Sequence, residues 1–448
     1  MIPRLIVAAP ASGQGKTTAA TGLMAALTRR GLRVQGFKSG PDFIDPAFHT
    51  AATGRPSRNL DTWMMGEDLV LECFERATVD ADIAIIEGVM GLFDGYSGKD
   101  DAGSAAHLAR LLDAPVLLVL DGSAMARSAA ALVHGFATFD PQVRVAGVLL
   151  NNLAGEGHYR YIAEALAGSG VASVGWLRRD PALRMPERHL GLVPGFSVEY
   201  LDRLAAAITR AVDLDAVLRI AQSAGPLRAP SHRVFGGQPG EAFTVAVARD
   251  EAFWFYYQDS LDYLTVLGAK LVPFSPLRDP RPPVGVQAVY IGGGYPELHL
   301  AELAANGPML EWLRRTKVPI YAECGGLMYL TEAILDRDGR RYPLVGRLPT
   351  EATMAGAKLH LGYVTATAPQ DHLLALKGQQ VRGHEFHASQ LTEPARNPAW
   401  TCQGSFGPPR ADGFVEPVLV ASYVHLHFAA NPLAAARLAD LARICMCE

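Results

Sequence analysis

An α/β protein of two domains, the first a doubly wound parallel sheet, is the fold this sequence predicts, and three observations predict it. Short apolar runs alternate with helical patterns from Met1 to about Ala221. The stretch Ala224–Gly240, AGPLRAPSHRVFGGQPG, is rich in Pro, Gly and Ser, has no period, and reads as a linker. A second alternation starts at Phe243 and turns β-rich from Tyr342 to Val424. At 448 residues the chain is long for one core and comfortable for two, so the expected division is 1–222, a linker over 223–242, and 243–448.

In the first half the apolar runs are Leu5–Ala9, Arg33–Phe37, Ile83–Ile86, Val116–Leu120, Val145–Leu150 and Val171–Trp176. Helical stretches such as Thr17–Arg30, Ser104–Leu112, Ala124–Phe136 and Tyr159–Ala167 separate them. Buried strands alternating with helices mean a parallel sheet, which takes its ligands at the carboxyl ends of the strands. Directly after the first run comes Ala8–Thr18, AAPASGQGKTT, the strand–turn–helix layout of a phosphate-binding loop. Gly13 and Gly15 let backbone N–H groups close on phosphate oxygens, and the helix opening at Lys16 adds its positive end. Lys16 is expected to reach the β- and γ-phosphates of ATP, and the Thr17 hydroxyl to serve Mg²⁺. Gln14 and Thr18 complete the expected ATP-binding set. The loop is a variant, because Pro10 stands where the usual pattern has its first glycine.

Two further stretches belong to the same end of that sheet. Lys38–His49, KSGPDFIDPAFH, follows the second strand. Asp45 is expected as a Mg²⁺ ligand, and Lys38 as the partner of a substrate carboxylate or a transferring phosphoryl group. Asp42 reads either as a substrate contact or as a turn acid serving backbone N–H groups. In Asp82–Gly95, DIAIIEGVMGLFDG, a buried strand ends in Glu87, the position of a second Mg²⁺ carboxylate. Asp94, downstream in a Gly-rich loop, reads as a turn residue or, favoured here, a substrate contact.

The second half carries a nucleophile. In Ile320-Tyr-Ala-Glu-Cys324-Gly325-Gly326 an apolar strand feeds a sharp turn and a helix, with the cysteine at the apex. Such a turn exposes the sulfur, and the helix N-terminus is expected to lower its pKa. Upstream, Gly292-Gly293-Gly294 ends another strand, and Gly293 with Gly325 is expected to supply oxyanion N–H groups. Downstream, Tyr423-Val-His425-Leu-His427 offers two candidate bases at strand spacing, of which only one is expected to face the cysteine. Neither candidate base has an acid two residues later, since His427 stands there for His425 and Ala429 for His427, which leaves a Cys–His pair. The segment Gly383-His384-Glu385-Phe-His387 reads as a metal site, disfavoured because its spacing on a strand puts His384, Glu385 and His387 on both faces.

A net charge of −4 leaves no global footprint for nucleic acid, and no run of eighteen apolar residues offers a membrane span. Met1-Ile2-Pro3-Arg4 runs straight into a strand, so no signal peptide is expected. The five cysteines are odd in number and mostly scattered, which suits a reducing cytoplasm better than a disulfide framework. Cys445-Met-Cys447 reads as a frayed tail rather than a metal clip.

KSGPDFIDPAFH, SRNLDTW (57–63), EGVMGLFDG and PERHLGL (186–192) together resemble the corrinoid a,c-diamide synthases, glutamine-dependent ligases of the cobalamin pathway. The phosphate-binding loop, Asp45 and Glu87 are also similar to dethiobiotin synthetase, and the second half resembles class I glutamine amidotransferases of the cobyric acid synthase type. The resemblance implies that Asn151 reads the adenine edge, although an Asn pair at a strand end also reads as a helix cap. It places Arg188-His189 near the same site and favours His425 as the base, with His427 the alternative because Leu426 replaces a glycine of the family segment. It implies amidation of the a and c acetates of hydrogenobyrinate or cobyrinate through acyl phosphates, with ammonia from glutamine. For the GHEFH segment (383–387) the resemblance implies domain contact or glutamine-site structure instead of a metal site. A homodimer is compatible with it. Cobyric acid synthase-type amidation, a nickel sirohydrochlorin substrate and a partitioning-type ATPase switch are the rival readings.

Overall fold

The computed structural model describes residues 2–183, 185, 198–237, 240–356 and 358–444. The PERHLGL stretch with Arg188-His189, and Cys445 and Cys447, lie outside them. Two compact units form, Met1–Arg233 and Val234–Glu448.

Unit 1 contains strands β1 (Arg4–Ala8), β2 (Val34–Ser39), β3 (Arg58–Leu60), β4 (Ile83–Glu87), β5 (Val116–Asp121), β6 (Val145–Leu153) and β7 (Ala172–Arg178). Between and after them run α1 (Lys16–Arg29), α2 (Ile44–Thr53), α3 (Glu67–Thr78), α4 (Ala105–Leu111), α5 (Ser128–Thr138), α6 (Glu156–Leu166), α7 (Val198–Ala211) and α8 (Leu214–Gln222). The strands pair in parallel in the order β3-β2-β4-β1-β5-β6-β7. After β1 the chain builds outward to β3, returns through β4, and then builds the other side from β5. The order therefore reverses around β1, which puts a ligand crevice at its carboxyl end. Ala19, Ala20, Leu23, Met24 and Leu27, spaced three and four apart on α1, meet Leu201, Ile208 and Val217 in one buried cluster against the sheet. Each such leucine contributes about 1.5–3 kcal/mol on burial. Gly22 allows the close approach of α1 to α7, since a Cβ there would stand 2.7 Å from Ile208 Cγ1. Residues 223–233, read from sequence as linker, lie along α3 through Arg228 to Glu67 (3.0 Å) and Arg233 to Glu75 (2.7 Å).

Unit 2 opens with β8 (Phe243–Ala248), α9 (Gln258–Val266), β9 (Ala269–Phe274), β10 (Ala288–Ile291), α10 (Leu300–Ala305), α11 (Gly307–Arg315), β11 (Ile320–Glu323) and α12 (Gly325–Leu330). It continues through β12 (Thr331–Leu335), β13 (Arg341–Pro343), β14 (Leu348–Thr353), β15 (His360–Thr367), β16 (Gln380–His387), β17 (Gln390–Leu391), β18 (Trp400–Gly404), β19 (Arg410–Asp412), β20 (Phe414–Glu416), β21 (Leu419–Ser422), β22 (Val424–Leu426) and α13 (Pro432–Ile444). The main sheet runs β20-β21-β11-β10-β8-β9, parallel except for the β20–β21 pair. A five-stranded antiparallel sheet, β19-β18-β15-β16-β22, stands beside it. The chain changes sheets at Tyr423, between β21 and β22. That step carries His425 from the main sheet to the partner strand of β16.

Candidate functional site

The residues singled out in the sequence gather at two places, one in each unit. In unit 1 the loop after β1 holds Gly13 at φ 81° and Gly15 at φ 94°, left-handed values that glycine adopts without a Cβ penalty. Two neighbouring strand ends brace this loop. Gln14 Oε1 accepts from the Asp121 N–H at the end of β5 (2.9 Å), and Asn151 Nδ2 of β6 donates to the Gln14 carbonyl (2.9 Å). Asn151, expected from the resemblance to read adenine, thus holds the phosphate-binding loop in this structure. Lys16 Nζ donates to the Ala11 carbonyl (3.1 Å), folded back along the loop, and Thr18 is half-buried in the first turn of α1.

Below the loop a buried charge network ties three elements together. Thr17 Oγ1 donates to Glu87 Oε1 (2.7 Å), and Lys38 Nζ reaches the same oxygen (3.0 Å) and Asp45 Oδ2 (2.7 Å). Burial alone would lower the Lys38 pKa, but Asp45 and Glu87, with Asp42 beyond, outweigh it and hold the ammonium above its ordinary value. The other Glu87 oxygen lies 2.7 Å from His49 Nε2, and His49 Nδ1 lies 3.3 Å from Ser57 Oγ. No role was read for His49 from sequence. The available signal was its spacing, four residues after Asp45 on α2, which puts both on one helix face.

Asp42 accepts from the backbone N–H groups of Ile44 (3.0 Å) and Asp45 (3.3 Å) at the start of α2, the turn-acid geometry. Burial and the Asp45 charge, partly offset by Lys38, push it up to about 7. Asn59 of the SRNLDTW stretch donates to the Gly40 and Asp42 carbonyls (2.8 Å each), which fixes this loop from behind. Asp94 is exposed, and its Oδ2 accepts from the Gly91 N–H (2.8 Å). Gly91 is required there, since a Cβ would stand 2.6 Å from the Pro10 carbonyl oxygen of the phosphate-binding loop.

In unit 2 Cys324 sits between β11 and α12 at φ 49°, ψ −105°, a left-handed strain of about 1–3 kcal/mol for a non-glycine residue. Its Sγ donates to the Phe386 carbonyl (3.4 Å). A Cβ on Gly293 would stand 2.6 Å from His425 Cε1 and 3.3 Å from Cys324 Cβ, so the sulfur's residue and the ring flank this one glycine. A Cβ on Gly325 would lie 3.2 Å from the Gly294 nitrogen, which brings the glycine turn and the elbow backbone together. The expected depression of the thiol pKa is not found. Burial, with the Glu297 carboxylate next in weight, raises it, and the Gly325 N–H only partly offsets this. Burial likewise pushes Glu297 up to about 7.

The two histidines separate, but not through strand alternation. Residues two apart on a strand share a face. Here β22 ends at Leu426, so His427 leaves the strand, its Nδ1 accepting from the Ala430 N–H (3.2 Å) and its ring 5.2 Å from that of Tyr257. The sequence also missed an acid. Glu323, the residue before the nucleophile, places Oε2 3.5 Å from His425 Nδ1, both side chains buried. In the GHEFH segment His384 pairs across the strands with His425, Glu385 pairs with Arg410, and the His387 ring stacks on Tyr423 at 3.7 Å. Among the described residues no group of three or more His, Cys, Asp and Glu could hold a metal ion. No helix among them is long and apolar enough to cross a membrane.

Residues 5–193 match the model of the CobQ/CobB/MinD/ParA nucleotide binding domain, and residues 244–433 that of the CobB/CobQ-like glutamine amidotransferase domain. The chain is 45% identical over 445 residues to a cobyrinate a,c-diamide synthase of Dehalococcoides mccartyi, which spans 96% of this chain and 96% of that protein. It is 43% identical to a cobyrinate a,c-diamide synthase of a Synechococcus strain, over 96% of each. A hydrogenobyrinate a,c-diamide synthase of Thermobifida fusca is 44% identical, over 98% of this chain and 96% of that one.

Proposed function

We propose, for a chain that belongs to the cobyrinate and hydrogenobyrinate a,c-diamide synthase family, that it uses ATP and glutamine to convert the a and c acetate carboxylates of a corrinoid ring to amides. The observation that carries this reading is the pairing, in one chain, of a braced phosphate-binding loop with a strained cysteine elbow that flanks Gly293 together with a buried histidine. An ATPase switch has no use for the second.

Glutamine hydrolysis is assigned to Cys324 and His425. Cys324 gives its proton to His425 and the sulfur attacks the glutamine amide carbon, with the Gly293 and Gly325 N–H groups receiving the developing oxyanion. The C–N bond breaks as His425 returns the proton to the departing nitrogen, releasing ammonia and leaving a thioester. Water then cleaves the thioester to glutamate and restores the thiol.

Activation of the ring is assigned to unit 1. A substrate carboxylate oxygen attacks the γ-phosphorus of ATP, ADP leaves, and an acyl phosphate forms. Ammonia attacks its carbonyl carbon and phosphate departs, leaving the amide. Gly13, Gln14, Gly15, Lys16 and Thr18 hold the phosphates, and Lys38 neutralises charge on the reacting carboxylate or phosphoryl group. Thr17, Asp45 and Glu87 offer only oxygen donors, which suits Mg²⁺, and these are the residues that would hold it. Bound there, Mg²⁺ supplies neutralisation of the phosphate charge. Asp42 and Asp94, which serve turn N–H groups, are assigned as substrate contacts through the two loops beside which the ring would bind.

Cys324→Ala tests the division of labour. It should abolish amidation driven by glutamine and keep turnover driven by high ammonium, read as mono- and diamide masses with hydrogenobyrinate and with cobyrinate. Equal loss with both nitrogen donors would sink it, and the same assay on the unmodified enzyme identifies the preferred ring. Asp94→Asn should change which carboxylates are amidated, or in what order, at unchanged ATP affinity.

A further inference from the structure

The base of a cysteine–histidine pair works best when its second ring nitrogen is held by an acid, which fixes tautomer and orientation and stabilises the imidazolium that forms. Here His425 is followed by Leu426, His427, Phe428 and Ala429, so no acid follows the base in sequence. The fold supplies one from another strand. Glu323 ends β11, directly before Cys324, and its Oε2 stands 3.5 Å from His425 Nδ1.

Among the described residues, three donors hold Glu323. Tyr290 Oη gives a hydrogen bond to Oε2 (3.0 Å), and Tyr321 Oη and the Leu426 N–H (2.9 Å) give theirs to Oε1. Donors on both oxygens hold the carboxylate in one orientation. Burial, with the Glu323 charge next in weight, raises the pKa of both phenols, which keeps them as donors. The carboxylate also clamps β22 twice, through the ring of His425 and through the backbone of the residue after it. His384, across the strand pair from His425, supplies no competing charge, since burial lowers its pKa to about 3. Glu385 is paired with Arg410. Nucleophile and base are therefore joined through one residue, adjacent to the first in sequence and to the second in space.

We infer that Glu323 is the positioning carboxylate of His425, in place of the acid absent after the base. This rests on the assignment of glutamine hydrolysis to Cys324 and His425.

The test is Glu323→Gln in the full chain, with Glu323→Asp and Tyr290→Phe beside it. Glutamine keeps an oxygen for the tyrosines but cannot hold the charge. Its glutaminase kcat should fall on the order of 10²–10⁴-fold, with KM for glutamine within about twofold and ammonium-driven amidation intact. Glu323→Asp should recover at least about tenfold of the lost kcat. A Gln variant within about threefold of the unmodified kcat overturns the inference, and so does equal loss in the Gln and Asp variants with KM raised, the signature of a packing role. If Glu323→Gln fails to fold, Tyr290→Phe decides. A kcat loss of at least about fivefold at unchanged KM supports the inference, and no loss overturns it. Cys324→Ala, assayed alongside, separates the two claims, because glutaminase activity surviving in it removes the underlying assignment whatever Glu323 does.

Discussion

His49 Nε2 lies 2.7 Å from Glu87 Oε2, and both side chains are buried. The first turn of α1 and the strand β2 take the other oxygen of the same carboxylate, through Thr17 and Lys38. Glu87 is thereby oriented from three elements, and His49 is the one of them outside the expected Mg²⁺ and phosphate set. Outer partners of this kind typically matter by 10–100-fold. His49→Ala should lower amidation by about that factor with glutamine and with ammonium alike, while glutamate release from glutamine stays unchanged. Full amidation activity in the variant would remove His49 from the site.

The two glycines of the phosphate-binding loop should differ in their tolerance. Both have left-handed φ, which costs an alanine about 1–2 kcal/mol. A Cβ on Gly15 would in addition fall inside the Asn151 amide, whereas a Cβ on Gly13 meets nothing within 4 Å. Gly15→Ala should therefore abolish ATP binding, measured by calorimetry, and Gly13→Ala should weaken it by roughly tenfold, the equivalent of about 1.4 kcal/mol. Equal effects would mean that the Asn151 brace is unimportant.

His425 and His427 should separate in glutaminase assays. His425 flanks Gly293 with Cys324, whereas His427 caps a turn against Tyr257. His425→Asn is expected to lower glutamate release by at least about 10²-fold, the usual weight of a general base, and His427→Asn to leave most of it. The reverse outcome would transfer the base to His427.

Burial also makes a histidine a pH sensor of stability. The His384 pKa falls from 6.5 to about 3. A group with a depressed folded pKa contributes stability above its unfolded value and loses it as the pH drops toward the folded one. His384→Gln removes that dependence. The stability advantage of the unmodified chain over this variant should shrink by about 1.4 kcal/mol per pH unit between pH 6 and 4, read from urea unfolding at each pH. A difference independent of pH would contradict the neutral, buried assignment.

Much of this molecule was legible in the sequence because the signals were local. The apolar runs Ile83–Ile86 and Val116–Leu120 became strands β4 and β5, and GQGKTT and AECGG marked the loop and the elbow, since the loop needs glycine where φ turns positive and the elbow needs it after Cys324, where a Cβ would collide with Pro296 and Ile291. The very short β3 carried no such signal, and neither did the sheet change at Tyr423. The lowered thiol pKa expected of Cys324 failed for a related reason. The helix behind it is local and visible, but burial and the Glu297 carboxylate are not.

The sequence by itself determined which residues bring chemistry to this protein, namely the lysine and threonine of the loop, the acids at strand ends, the cysteine and the two histidines. Only the tertiary structure decided how they are held. His49 meets Glu87 across 38 residues, Asn151 reaches Gln14 across 137, and Leu426 carries its N–H to Glu323 across 103. Such pairs have no spacing rule. They follow from the register of parallel strands and from burial, which leaves a polar group inside the fold no partner but the one that packing brings to it.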